Sequence, residues 1–166
     1  MPSKAAVWSA GGAHKWGSDA LSTATPHGLS LTPYSPRVAY GVIRPDEFEW
    51  ITRPHEPGEP ARHVAELSER VGLTHTRGNV WRYEPGAKGR RHRERGHEET
   101  FVVLSGTLSI YLGDPPERVD VPTGGVIHVE PGTALQSANH GEADLLVYVY
   151  GAPAEHERAE VLDSAL

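Results

Sequence analysis

From about residue 74 onward the chain is a series of short apolar runs cut by Gly and Pro, and this restricts it more than any other feature. The interruptions are Pro85-Gly86, Ser105-Gly106, Gly113-Asp114-Pro115-Pro116, Gly124-Gly125 and Pro131-Gly132. Each is a turn signal, since Gly supplies left-handed backbone and Pro fixes φ while removing a donor. Between them Leu108, Ile110 and Leu112 alternate with Thr107, Ser109 and Tyr111. That period of two belongs to a half-buried strand. Strands are expected at Asn79–Tyr83, Thr100–Ser105, Thr107–Leu112, Val126–Val129 and Leu145–Tyr150. Short strands and turns at regular spacing imply an antiparallel all-β sandwich or barrel.

The N-terminal part reads differently. Residues 1–34 are rich in Gly, Ser, Thr, Ala and Pro and show little periodicity, as in an arm ordered only by packing on something else. Arg37–Ile43 and Phe48–Thr52 are expected strands, and residues 53–60 (RPHEPGEP) a loop. Val64, Leu67 and Val71 fall on one helical face with Gly72 as the stop, so a short amphipathic helix is expected over Ala61–Val71. The division expected is therefore an N-terminal extension over 1–74, a barrel core over 75–151, and a polar tail over 152–166 that forms a surface helix or frays. Trp8, Trp16, Trp50 and Trp81 are expected to anchor arm and barrel.

The formal net charge of −6 argues against a nucleic-acid partner, whose binding needs a basic surface. The absence of Cys removes disulfides, thiolate metal sites and a Cys nucleophile. There is no apolar run of the ~18 residues that a membrane span requires and no signal-peptide pattern near Met1, so a cytoplasmic protein without a membrane partner is expected. No P-loop, G-x-S-x-G elbow or H-E-x-x-H is present. Ten His suggest metal, pH sensitivity or a His-rich surface.

Gly86–Gly106 reads GAKGRRHRERGHEETFVVLSG and Gly124–Asn139 reads GGVIHVEPGTALQSAN. The first resembles the first motif of the cupin superfamily, G-(x)5-H-x-H-(x)4-E-(x)6-G. Gly86, His92, Glu99 and Gly106 are in register, with Glu94 at the second His place. The second resembles the second cupin motif, G-(x)5-P-x-G-(x)2-H-(x)3-N. Gly124, Gly132 and Asn139 are in register, with Glu130 at the Pro place and Leu135 at the His place. The resemblance implies a cupin jelly-roll β-barrel with a small-molecule site inside it. It further implies, in the full motif, a metal held by three His and one Glu, of which this chain retains His92 and Glu99 directly and Glu94 as a substitution. Cupin barrels are commonly dimers, so the long arm is expected to wrap a second copy in a homodimer.

The residues support a parallel reading. His92 and Glu94 are two apart on an extended run and share a face, leaving Arg91, Arg93 and Arg95 for solvent. Glu99 shares parity with Phe101 and Val103; if that face is the interior, it needs a metal, a cation or a proton. One imidazole and two carboxylates would suit iron, manganese, zinc or nickel, with His97 or His128 as further ligands. Without metal the same set gives carboxylates acting as an acid/base pair with His92, as an isomerase, epimerase or cyclase requires. Gln136, Leu135, Trp81 and Phe101 are expected to line the pocket. The run Arg90–Arg95 either steers an anionic substrate or is a solvated strand face. Asn139 is expected to hold a loop rather than do chemistry. A non-catalytic binding module remains the alternative to an enzyme.

Overall fold

The computed structural model describes residues 39–53, 57–154 and 158–166. They form two antiparallel sheets. The strands are β1 (Ile51–Thr52), β2 (Arg62–Glu66), β3 (Arg77–Tyr83), β4 (His92–Arg93), β5 (Glu98–Ser105), β6 (Thr107–Leu112), β7 (Glu117–Pro122), β8 (Val126–Val129), β9 (Ala134–Ala138), β10 (Leu145–Ala152) and β11 (Glu160–Val161). One sheet runs β1-β2-β3-β10-β5-β8 and the other β11-β4-β9-β6-β7. Side chains from both inner faces, among them Phe101, Val103, Leu108, Ile110, Leu135 and Val147, make one buried cluster.

The five strands expected from the alternating runs are present, and this all-β sandwich is the architecture that the Gly and Pro spacing implies. Besides β2, four strands were not foreseen. β9 (ALQSA) is buried at every position, so it shows no alternation. β7 is exposed at all positions but Val121. β4 and β11 are two-residue pieces that exist through pairing, β4 lying between β9 and β11.

The N-terminal region departs from expectation. The helix expected over Ala61–Val71 is instead strand β2 followed by a single helical turn, α1 (Ser68–Val71). Val64 and Ala65 are both buried, and β2 pairs along its length with β3. Sheet pairing thus overrides a weak helical spacing. The stop at Gly72 is correct, with φ 75° in the left-handed region. Residues 39–43 are not strand; Phe48–Thr52 shortens to β1, preceded by a 3-10 turn at Pro45–Glu47. Ile43, Phe48, Trp50 and Val71 pack with Ala65, Leu67 and Val80 on the other face of the first sheet. The expected arm over 1–34, with Trp8 and Trp16, lies outside the described residues.

The tail neither frays nor forms a helix over its described part. β11 pairs with β4, and the Leu162 amide donates to the Arg91 carbonyl at 3.0 Å. Gln136 grips the segment beyond: its Nε2 donates to Gly89 O (2.9 Å) and Ser164 Oγ (3.1 Å), and its Oε1 accepts from the Ala165 amide (2.7 Å).

Asn139 latches the end of β9. Its Nδ2 donates to Tyr83 O (2.9 Å) and Ala143 O (2.8 Å), and its Oδ1 accepts from the Gly141 amide (2.9 Å), with the side chain buried. Replacing it with Ala leaves these backbone groups without their partner. Asn139→Ala is expected to lose about 2–4 kcal/mol in urea denaturation; a change under about 0.5 kcal/mol would remove the latch from the account of the fold.

Candidate active site

The inner face of β3 carries Arg77, Asn79, Trp81 and Tyr83, every second residue, as the pleat requires. The same alternation sends Glu99 and Phe101 of β5, Val149 and Gly151 of β10, and Leu135 and Ser137 of β9 to the interior. They enclose a cavity of about 560 Å³. Its size is within the usual range for small-molecule sites.

Three donors converge in this cavity. Ligand atoms of His92, Glu94 and Glu99 all lie within 4.8 Å of one another. His92 Nε2 is 3.4 Å from Glu99 Oε2. The other ring nitrogen, Nδ1, is 3.0 Å from the Arg90 carbonyl. A carbonyl only accepts, so Nδ1 carries a proton and Nε2 faces the carboxylates. Glu94 and Glu99 are both buried. Glu94 Oε2 and Glu99 Oε2 have no hydrogen-bond partner. Gly132, a motif position, fixes the backbone here: its amide donates to the Glu94 carbonyl at 2.6 Å.

These observations test the fit of a divalent metal. Buried oxygen atoms that bond nothing else, aimed with an imidazole nitrogen at one small volume, are what a hard or borderline cation takes. The carbonyl behind His92 supplies the outer hydrogen bond that metal-ligating histidines use to fix their tautomer. The residues present fit the ion.

The other expected site residues fall as follows. Leu135, Trp81 and Phe101 line the cavity. Leu135 stands directly opposite His92 across the β4–β9 ladder. Gln136 has the opposite parity and lines a second, shallower hollow, where it holds the tail. His97 is buried in the cavity wall with Nδ1 3.0 Å from the Pro153 carbonyl, outside the cluster of three. A Cβ added to Gly151 would lie 1.8 Å from His97 Nε2, so the ring occupies the space that Gly151 leaves empty. His128 is on the far face of β5–β8, 2.9 Å from Thr100 Oγ1. Two features were missed. Tyr83 and Ser137 share a buried hydroxyl pair at 2.8 Å, and burial pushes the Tyr83 phenol above its ordinary value, keeping it a neutral donor. Trp81 and Tyr83 share one strand parity, which was the available signal. The arginines Arg62, Arg77, Arg90 and Arg158 also reach the cavity.

Nor do Arg91, Arg93 and Arg95 simply face solvent. Arg91 is mostly buried, donating to Gly113 O at 2.9 Å with Asp114 at 3.5 Å. Arg93 and Arg95 both meet Glu160, at 3.9 and 3.1 Å.

His92 titrates in a defined direction. Burial opposes charge on His92, but the Glu99 carboxylate 3.4 Å away, the Arg90 carbonyl and the charge of Glu94 outweigh it and raise its pKa above 6.5. A raised folded pKa adds stability that is complete below the unfolded value and is lost as pH rises through the folded one. Metal-stripped protein is therefore expected to lose stability as pH rises above about 6.5 relative to His92→Gln. Urea midpoints across that range check it; parallel profiles would show that His92 has no such coupling.

Residues 79–150 match the family model described as the cupin domain. No curated protein matches the sequence. Among solved structures, a sugar phosphate isomerase of the cupin superfamily from Silicibacter pomeroyi is similar at 23% identity and TM-score 0.63, covering 74% of this chain and 82% of its own. A polyketide cyclase, RemF, from Streptomyces resistomycificus is similar at 16% identity and TM-score 0.62, covering 74% and 85%. A protein described as a predicted oxalate decarboxylase from Thermotoga maritima is similar at 19% identity and TM-score 0.59, covering 68% and 98%. The double-sheet barrel, the register of the two glycine-bounded motifs and the matched region agree: residues 79–150 form a cupin domain.

Proposed function

We propose that this protein is an enzyme acting on a small molecule inside the barrel, with a divalent metal held by His92, Glu94 and Glu99. The observation that carries this reading is the pair of buried carboxylate oxygens without partners beside His92 Nε2. When bound, the ion would supply Lewis-acid polarisation of a substrate oxygen. The chain's own residues do the rest. The Arg90 carbonyl holds the His92 ring by Nδ1. Leu135, opposite His92 on the β4–β9 ladder, offers no ligand atom, so three side chains would hold the ion. Phe101, Trp81 and Val149 give apolar walls that exclude water, and the Tyr83 phenol stays a donor at the end of the same strand.

A second reading is favoured by the raised pKa of His92. An imidazolium 3.4 Å from Glu99 can pass a proton without any metal, as an isomerase, epimerase or cyclase would need. The similar folds are described as an isomerase, a cyclase and a decarboxylase, so the barrel itself selects no reaction.

Manganese titration of metal-stripped protein separates the readings. His92→Ala and Glu99→Ala are each expected to weaken binding by at least about 100-fold. Leu135→His places an imidazole opposite His92, at about 4.5–5.5 Å between Cα atoms, and is expected to tighten binding about tenfold. No manganese uptake by wild type or by Leu135→His would leave the metal-free reading.

The homodimer is proposed as well. Val126 of β8, Leu104 of β5 and Tyr150 of β10 are exposed on the outward side of the first sheet, an apolar surface suited to a second copy. Light scattering at micromolar concentration is expected to give twice the chain mass; a monomer would overturn it.

A further inference from the structure

The cavity's charge runs against that of the whole chain. The sequence carries a formal net charge of −6, yet four arginines and two glutamates are among the residues that line the cavity, Arg90 and Arg158 being exposed. Arg62 comes from β2, Arg77 from β3, Arg90 from the approach to β4, and Arg158 from the segment leading into β11. They thus approach from different elements. Among the described residues none of the four has a carboxylate partner, whereas Arg91, Arg93 and Arg95, which follow Arg90, are paired with Asp114 and Glu160.

Two of the four are held in place by the sheet. Arg62 lies opposite Tyr83 on the β2–β3 ladder, and its guanidinium carbon is 5.5 Å from the centroid of the Trp81 ring. Stacking on an aromatic face orients the planar fork without using its hydrogen-bond donors. Arg77 lies opposite Gly151, and Gly151 lies opposite Glu99. Arg77 and Glu99 are thus in one row of the same face, two strands apart, or about 10 Å between Cα atoms. The residue between them has no side chain, and the space is filled by the His97 ring. A small molecule lying along this row could place one end at His92, Glu94 and Glu99 and the other at Arg77.

We infer that the four arginines form an oxyanion-binding collar, and that the ligand of this site is a small molecule bearing a carboxylate or a phosphate monoester. The inference rests on the proposal that the cavity is the ligand site, and it deepens that proposal by naming the ligand class. Guanidinium groups bind both oxyanions through paired N–H donors. Collected in a cleft, they also concentrate anions from solution. The excess of positive charge would grow further with a divalent ion held by the two carboxylates.

The test uses the full chain, stripped with chelator and dialysed, in calorimetric titrations with inorganic phosphate, with acetate and with neutral glycerol. Wild type is expected to bind phosphate, acetate or both, more weakly as salt is raised, and not glycerol. Phosphate alone would identify a phosphate ester as the ligand, and acetate alone a carboxylate. The double variant Arg62→Gln/Arg77→Gln is expected to weaken anion binding about tenfold or more, while Arg62→Lys/Arg77→Lys, which keeps the charge, retains part of it. No binding of either anion, or equal binding by wild type and the Gln double variant, would overturn the collar. Manganese titration of the same variants reads the metal proposal separately. Manganese uptake by wild type without anion binding rejects only the collar; anion binding by wild type without manganese uptake rejects only the metal.

Discussion

Two carboxylates buried beside one imidazole are the constraint around which the barrel is arranged. A carboxylate taken from water into an apolar interior is costly unless something charged or protonated compensates it. Here Glu94 and Glu99 come from either side of a short loop, and each keeps one buried oxygen without a hydrogen-bond partner. His92 provides the compensation within the chain, and its ring is oriented by the carbonyl behind it. The rest follows from holding these three in place. β4 is only two residues long and survives because β9 and β11 pair with it on both sides. Gly132 ties the loop after β8 to the Glu94 backbone. Gln136, on the outward face of β9, secures the segment beyond β11. The site is thus braced by residues that never enter it.

Much of the barrel was legible in the sequence because strand alternation survives wherever one face is buried and the other wet. Thr107–Leu112 and Leu145–Tyr150 could be read for that reason. β9 could not, since all five of its positions are covered. The Val64, Leu67, Val71 spacing misled because a strand, a bend and one helical turn can bury the same residues as a continuous helix. Local spacing is a weak guide when a neighbouring strand offers a full ladder of hydrogen bonds. The two-residue strands carry no local signal of their own.

The candidate site was legible along the chain and illegible across it. Motif spacing and parity placed His92, Glu94 and Glu99 on one side of the barrel. Parity also separates Leu135 from Gln136, which points the other way; only the position of the C-terminal segment reveals what Gln136 holds. The arginines illustrate the same limit. The conspicuous run Arg90–Arg95 is mostly spent on Gly113, Asp114 and Glu160. Arg77 and Glu99 are 22 positions apart in the sequence and share a row only because β10 lies between their strands.

The vacancy at Gly151 has an evolutionary corollary. Its missing side chain is the seat of the His97 ring, and the Glu98 carbonyl is only 2.8 Å from where a Cβ would stand. A larger residue at 151 cannot be accepted while His97 keeps its place, and a smaller residue at 97 would open a hollow beside Glu99. The two positions therefore form a single heritable unit. Among relatives of this chain they should change together or not at all, and a lineage that gave up the histidine would be free to rebuild this wall of the cavity for a ligand of another shape.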